Sequence, residues 1–177
     1  MNKDNIKSKS LTKGSTFFET IIIILIIFFI LWLFLPKPRQ RPQAKHIACQ
    51  QNMKSLSLAI VSYANEHSDT YPTPKKWCDL IEPFLGDKAE KIFRCPALDE
   101  GKCHYAMNPD CEPNSPGDVV LLFETKGGWN LFGGSEILSI DNHTKKGCNV
   151  LFNNYHVEFI TEDKIGDLMW SDEEPNE

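Results

Sequence analysis

The chain has 177 residues and a formal net charge of -5, with a sequence pI near 5.6. That acidic balance argues against a nucleic-acid partner, which would want a basic face. Once an N-terminal leader and an apolar segment are set aside, about 140 residues remain, enough for one compact domain with its own core.

Residues 1–14 carry Lys3, Lys7, Lys9 and Lys13 against Asp4. From Phe17 to Leu35 the chain is almost wholly apolar, and between Ile21 and Leu35 it holds no charge and no helix breaker. Wound as a helix, the run spans roughly 28 Å, about one bilayer core. Only a helix satisfies its own backbone at that depth. It is too long for the h-region of a secretory signal, and no small-x-small cleavage site follows it. Glu19 breaks the pattern. A carboxylate deep in hydrocarbon costs about 2.5 kcal/mol or more, so an acid there points to a function unless it snorkels to the interface.

Beyond the span, Pro36, Pro38 and Pro42 predict a bent or partly extended collar, because each removes a backbone donor and disfavours helix at the preceding residue. Lys37, Arg39, Arg41 and Lys45 make this flank basic too, so the positive-inside rule leaves the orientation open. An amphipathic helix is expected from about Gln43 to Glu66, with Cys49, Met53, Leu56, Ile60 and Tyr63 on one stripe. Turn formers at His67–Thr70 and then Tyr71-Pro72 end it.

A short helix is predicted over Lys76–Leu85, with Trp77, Leu80, Ile81 and Phe84 on one side and Pro83 a candidate early stop. Ile92–Pro96 and Tyr105–Asn108 read as short strands. Val119–Glu124 is the clearest buried strand, bounded by Pro116-Gly117 and Gly127-Gly128. The loop 127–134 holds Trp129, Asn130 and Phe132, read as exposed contact residues. A hairpin should close the domain: Asn149–Phe152, a turn at Asn153-Asn154-Tyr155, and His156–Ile160. In it Val150, Phe152, Val157 and Phe159 alternate as a half-buried pair requires.

All six cysteines, Cys49, Cys78, Cys95, Cys103, Cys111 and Cys148, lie beyond the apolar run. Outside the cytoplasm they are candidates for up to three disulfides of open pairing; the alternative is buried free thiols. No CxxC, GxSxG or P-loop is present, so neither a thioredoxin-like site nor a standard catalytic motif is indicated. His143 and His156, with Asp141 near the first, are weighed as metal ligands or catalysts and read as structural or surface histidines. Asp141, Asn142, Asp163, Asp167, Asp172, Glu173 and Glu174 offer oxygens for calcium, but not at EF-hand spacing. The tail reads instead as solvated and frayed. No catalytic residue, metal or cofactor is assigned.

The start of the chain resembles type IV prepilins and the pseudopilins of type II secretion. Gly14 lies five residues before Glu19, behind a basic leader and ahead of an apolar helix. The resemblance implies cleavage by a prepilin peptidase between Gly14 and Ser15. Glu19 then becomes the fifth residue of the mature chain and its assembly glutamate. Ser15 stands where the family usually has Phe, which bears on N-methylation more than on cleavage.

Four later segments resemble, in order, a pseudopilin-like family abundant in planctomycete- and lentisphaera-type bacteria. They are Cys49–Leu56 with Ala59-Ile60, Phe93-Arg94-Cys95-Pro96, Tyr105-Ala106-Met107-Asn108, and His143 with Asn149–His156. That family carries an Asp-Gly turn before the last histidine. Here Asn154-Tyr155 replace it, and one extra residue separates His143 from Asn149. Tyr is poor in a type I′ turn, so a different turn is expected.

The implied architecture is α+β and pilin-like: a long N-terminal transmembrane helix, a proline bend, and a small antiparallel sheet with disulfide-stapled loops. Its parts are a leader (1–14), a membrane helix (15–36), a collar with an amphipathic helix (37–66), a globular domain (67–162) and an acidic tail (163–177). The implied location is the bacterial inner membrane, crossed once, with the N-terminus cytoplasmic and the domain extracytoplasmic. The implied partners are the prepilin peptidase, other pilin-like subunits, an inner-membrane assembly platform and lipid. The competing expectation is an anchored binding module that never polymerises, using the Trp129/Phe132 loop. A third, an extracytoplasmic redox or metal enzyme, lacks a ligand triad.

Overall fold

The computed structural model describes residues 15–34, 42–144 and 146–172. The leader with Gly14, Pro36 and Pro38 of the collar, and Glu173 and Glu174 of the tail lie outside these residues. The chain divides into two units, Met1–Arg39 and Gln40–Glu177.

In the first unit, α1 runs from Ser15 to Phe34. Every side chain from Phe17 to Phe34 is exposed. A helix apolar on all faces has no stripe with which to choose a core, so it is suited to lipid or to other such helices. It is long and apolar enough to cross a membrane.

The second unit is an α+β domain. Helix α2 (Pro42–Glu66) begins on Pro42, whose missing N–H costs nothing at the first turn of a helix. Cys49, Met53, Leu56 and Ile60 are fully buried and Tyr63 is half-buried, as the stripe predicts. The helix ends where Ser68 and Asp69 take positive φ, with the Ala64 carbonyl accepting from the amides of His67 and Asp69. Helix α3 (Trp77–Leu85) buries Trp77, Cys78 and Ile81. Pro83 does not stop it, because a proline removes only its own donor and the helix needs just two more residues. The expected strand at Ile92–Pro96 is absent. Ala89–Ile92 forms a short helix, α4, and Phe93 continues in helical geometry with its N–H on the Ala89 carbonyl. Among the described residues no strand pairs with this segment, whose Phe93 carbonyl accepts from the His104 amide.

Four strands form one antiparallel sheet in the order β1 (Tyr105–Met107), β2 (Val120–Glu124), β3 (Gly147–Phe152), β4 (Val157–Thr161). Both faces are covered. Val119, Leu121, Leu122, Leu151 and Val157 share a cluster with α2 and α3, whereas Val120, Phe123, Cys148, Val150 and Ile160 form a second one. A register shift between Val120 and Leu122 lets Leu121 and Leu122 enter the same cluster. The half-buried alternation expected of the hairpin therefore fails on β3, where Gly147 through Leu151 are all buried.

The second cover comes from the segment read as a frayed tail. Leu168 and Trp170 pack into that cluster, with the Trp170 ring 5.0 Å from Phe123, and Met169 bridges Val119. The acidic residues masked four apolar ones, Ile165, Leu168, Met169 and Trp170. The hairpin turn differs from type I′, as expected. Residues 153–155 form the loop, and Tyr155 takes the left-handed position at φ 64. Its hydroxyl lies 3.1 Å from that of Tyr71, which donates to Asn153 Oδ1 at 2.8 Å. Asn153 Nδ2 donates to the Ser115 carbonyl at 2.6 Å, so the turn is tied down from outside the hairpin. Gly147 is required at the start of β3: φ is +144, and a Cβ there would overlap the Ile160 carbonyl oxygen.

Candidate functional site

The chemically richest place in the second unit is where the ends of β2 and β3 meet α2. Cys49 of α2 is joined to Cys95, which follows α4, at a sequence separation of 46 and with Cα atoms 5.2 Å apart. In the chain-entropy account a bridge closing a loop of that length contributes about 4 kcal/mol. His104 holds the Cys95 turn. Its Nδ1 accepts from the Cys95 amide at 2.9 Å, so Nε2 carries the proton and donates to the Glu100 carbonyl at 2.6 Å.

Beside the disulfide stands Glu124, the last residue of β2 and fully buried. Its carboxylate is gripped from β3, where the Asn149 amide donates at 2.7 Å and Asn149 Nδ2 at 3.0 Å. His143, in the loop before β3, places Nε2 2.9 and 3.0 Å from the two carboxylate oxygens and 4.0 Å from Cys95 Sγ. Nε2 must therefore be the protonated nitrogen, leaving Nδ1 buried and without a partner among the described residues. His46 of α2 and Phe159 of β4 wall the site, with ring centroids 5.5 and 6.2 Å from that of His143. Tyr105 faces Glu124 across β1 and β2. Burial, and then the Glu124 charge, push its phenol well above the usual range. The same two causes raise the Cys148 thiol to about 12.

Glu124 and Cys95 approach the same ring nitrogen. A Cys–His–acid relay needs the nucleophile on one nitrogen and the acid on the other, so this geometry is not that of a nucleophilic triad. What it offers is convergence. One ligating atom each from Cys49, Cys95, Glu124 and His143 lies within 4.8 Å of the others.

The two histidines considered together in the sequence are apart, at opposite ends of β3. His156 is exposed in the hairpin, stacked on Phe152 and 3.9 Å from Glu158. Asp141 pairs with Lys146, which holds its carboxyl below the usual range. Asn142 is buried, accepting from Ser139 and donating to the Thr125 carbonyl. These two residues are occupied by protein partners rather than turned toward a shared cation.

Of the six cysteines, one pair is bridged, and Cys78, Cys103, Cys111 and Cys148 are buried free thiols. Of the up to three disulfides for which the six cysteines are candidates, one is formed, and the alternative of buried free thiols holds for the other four cysteines. Cys148 sits in the cluster on the opposite face of the sheet from Cys78, Cys103 and Cys111, so it has no sulfur to meet. Free cysteines of this kind pack as small apolar side chains. The loop at 127–134 is also less open than expected. Trp129 packs on Phe93 at 4.9 Å and donates to Asp79 at 2.7 Å, while Asn130 Oδ1 accepts from the Cys78 amide at 2.8 Å. Only Phe132 of the two aromatics is exposed.

Glu124 was legible only as the residue closing a strand, and His104 carried no signal beyond a histidine beside Cys103. Neither spacing nor motif brings Glu124 to His143; the sheet register does. Compared with protein-family models, curated proteins and solved structures, the chain finds no match.

Proposed function

We propose that this chain is a pilin-like subunit of a type II secretion or type IV pilus-like filament, processed by a prepilin peptidase and assembled through its N-terminal helix. The observation that carries the reading is α1. Its side chains from Phe17 to Phe34 are exposed on every face, and Glu19 is the single charge among them. Such a helix gains by packing against copies of itself in or near a membrane, where association comes from close packing and polar contacts rather than from expelling water. A carboxylate at Glu19 gives that association a register. In hydrocarbon it is stabilised by the positive N-terminal amine that cleavage after Gly14 would create on a neighbouring subunit. The α+β domain, on the extracytoplasmic side, would form the filament's outer surface.

The experiment is Glu19→Ala in the full chain, expressed with the assembly machinery. Cleavage should proceed and incorporation into filaments should be lost. Incorporation at the normal level would remove the register role. The competing reading, a membrane-anchored binding module, leaned on the Trp129 loop. With Trp129 turned onto Phe93 and Asp79, that reading keeps only Phe132 as its exposed aromatic.

A further inference from the structure

Four potential ligand side chains reach one buried point from four parts of the chain: Cys49 from α2, Cys95 from the turn after α4, Glu124 from β2 and His143 from the loop before β3. Both cysteines and Glu124 are fully buried, and the His143 side chain is 3% exposed. We propose that the Cys49–Cys95 disulfide is the oxidised form of a zinc site, and that its reduction creates a centre of two thiolates, one imidazole nitrogen and one carboxylate oxygen.

The donor set is the first argument. Two thiolates with one imidazole and one carboxylate suit a borderline-soft, four-coordinate Zn²⁺. Convergence is the second. Glu124 and Cys95 both approach His143 Nε2, as ligands around a common centre would. The third is the outer shell, which a metal site needs in order to hold its ligands in place. Asn149 grips the Glu124 carboxylate through two donors, and His104 fixes the backbone of Cys95. Charge is the fourth. Two thiolates cancel the ion, so loading adds no net charge to a buried cluster, where uncompensated charge is costly.

The chemistry balances in two steps. A dithiol reductant transfers two electrons and two protons to the disulfide, giving two Cys thiols and its own disulfide. Zn²⁺ then binds as both thiols release their protons to solvent. At the same time the His143 proton moves from Nε2 to Nδ1, the buried nitrogen without a described partner, which frees the Nε2 lone pair for the metal.

The test uses the full chain in detergent, reduced with a phosphine under inert gas, freed of excess reductant and titrated with Co²⁺. The expected result is one Co²⁺ per chain, with thiolate-to-cobalt charge transfer and the intense visible bands of a tetrahedral site, bleached by Zn²⁺. The unreduced chain should show none of these. Cys49→Ser with Cys95→Ser should abolish the bands, His143→Ala should weaken binding by at least about tenfold, and Cys78→Ser with Cys103→Ser should leave them intact. The proposal is overturned if the reduced chain, with both thiols verified by alkylation and mass, binds no Co²⁺, or if the bands survive loss of Cys49 and Cys95. Should reduction unfold the chain, Co²⁺ must restore its circular dichroism; failure to do so overturns the proposal equally.

Discussion

His143 and Glu124 meet through a single nitrogen, with Nε2 2.9 and 3.0 Å from the two carboxylate oxygens and both side chains withdrawn from solvent. A carboxylate so placed depends on the donors around it: the Asn149 amide, Asn149 Nδ2 and His143. Removing one donor from a buried carboxylate leaves part of its lost hydration unreplaced. His143→Ala is therefore expected to lower stability by about 2 kcal/mol, and Glu124→Ala by at least as much. His143→Ala should cost far less on a Glu124→Gln background than in the native chain, because a neutral amide oxygen loses less than a buried carboxylate when its donor is removed. Denaturant titration of the four variants checks this. Additive losses would mean that the two side chains do not act as a pair.

Thiol counting addresses the cysteines. Denatured without reductant, the chain should offer four alkylatable thiols, Cys78, Cys103, Cys111 and Cys148, and six after reduction. In the folded chain all four should react slowly. Burial holds each away from reagent, and it raises Cys111 and Cys148 to about 12, so almost none of either thiol is thiolate at neutral pH. Mass spectrometry after alkylation reads all three states.

The Trp129–Asp79 contact predicts a pH dependence. Hydrogen bonds from Trp129, then from Asn130, hold the Asp79 carboxyl below its usual value. The folded value is depressed, so the contribution is present above the ordinary aspartate range, near 3.9, and fades as pH falls through the folded value. Asp79 is exposed, and the effect on global stability is small. The Trp129 indole N–H resonance should therefore shift in acid below that range, and Asp79→Asn should abolish the titration. An unchanged acid shift in Asp79→Asn would assign it to another group.

The legible parts of this fold were those that a local period or a breaker encodes. The α2 stripe from Cys49 to Ile60, the stop before Tyr71-Pro72, the run ending at Glu124 and the hairpin around Asn153 each carry their signal within a few residues. The failures share one cause: tertiary partners decide them. Ile92–Pro96 reads as strand by composition yet pairs with no strand among the described residues. The segment Ile165–Trp170 looked like part of an acidic tail until the uncovered face of β2 and β3 gave Leu168 and Trp170 somewhere to pack. The candidate site was half visible. Cys49, Cys95 and His143 could be named, but Glu124 joins them only because the sheet register brings the end of β2 beside the start of β3.

The most direct test of the pilin-like account is the intact mass of the membrane-extracted chain, expressed with and without an active prepilin peptidase. The account predicts a loss matching residues 1–14 when the peptidase is present, leaving Ser15 as the first residue and Glu19 fifth. An unshifted mass beside an active peptidase would contradict it and make Glu19 an acid at the rim of a simple anchor.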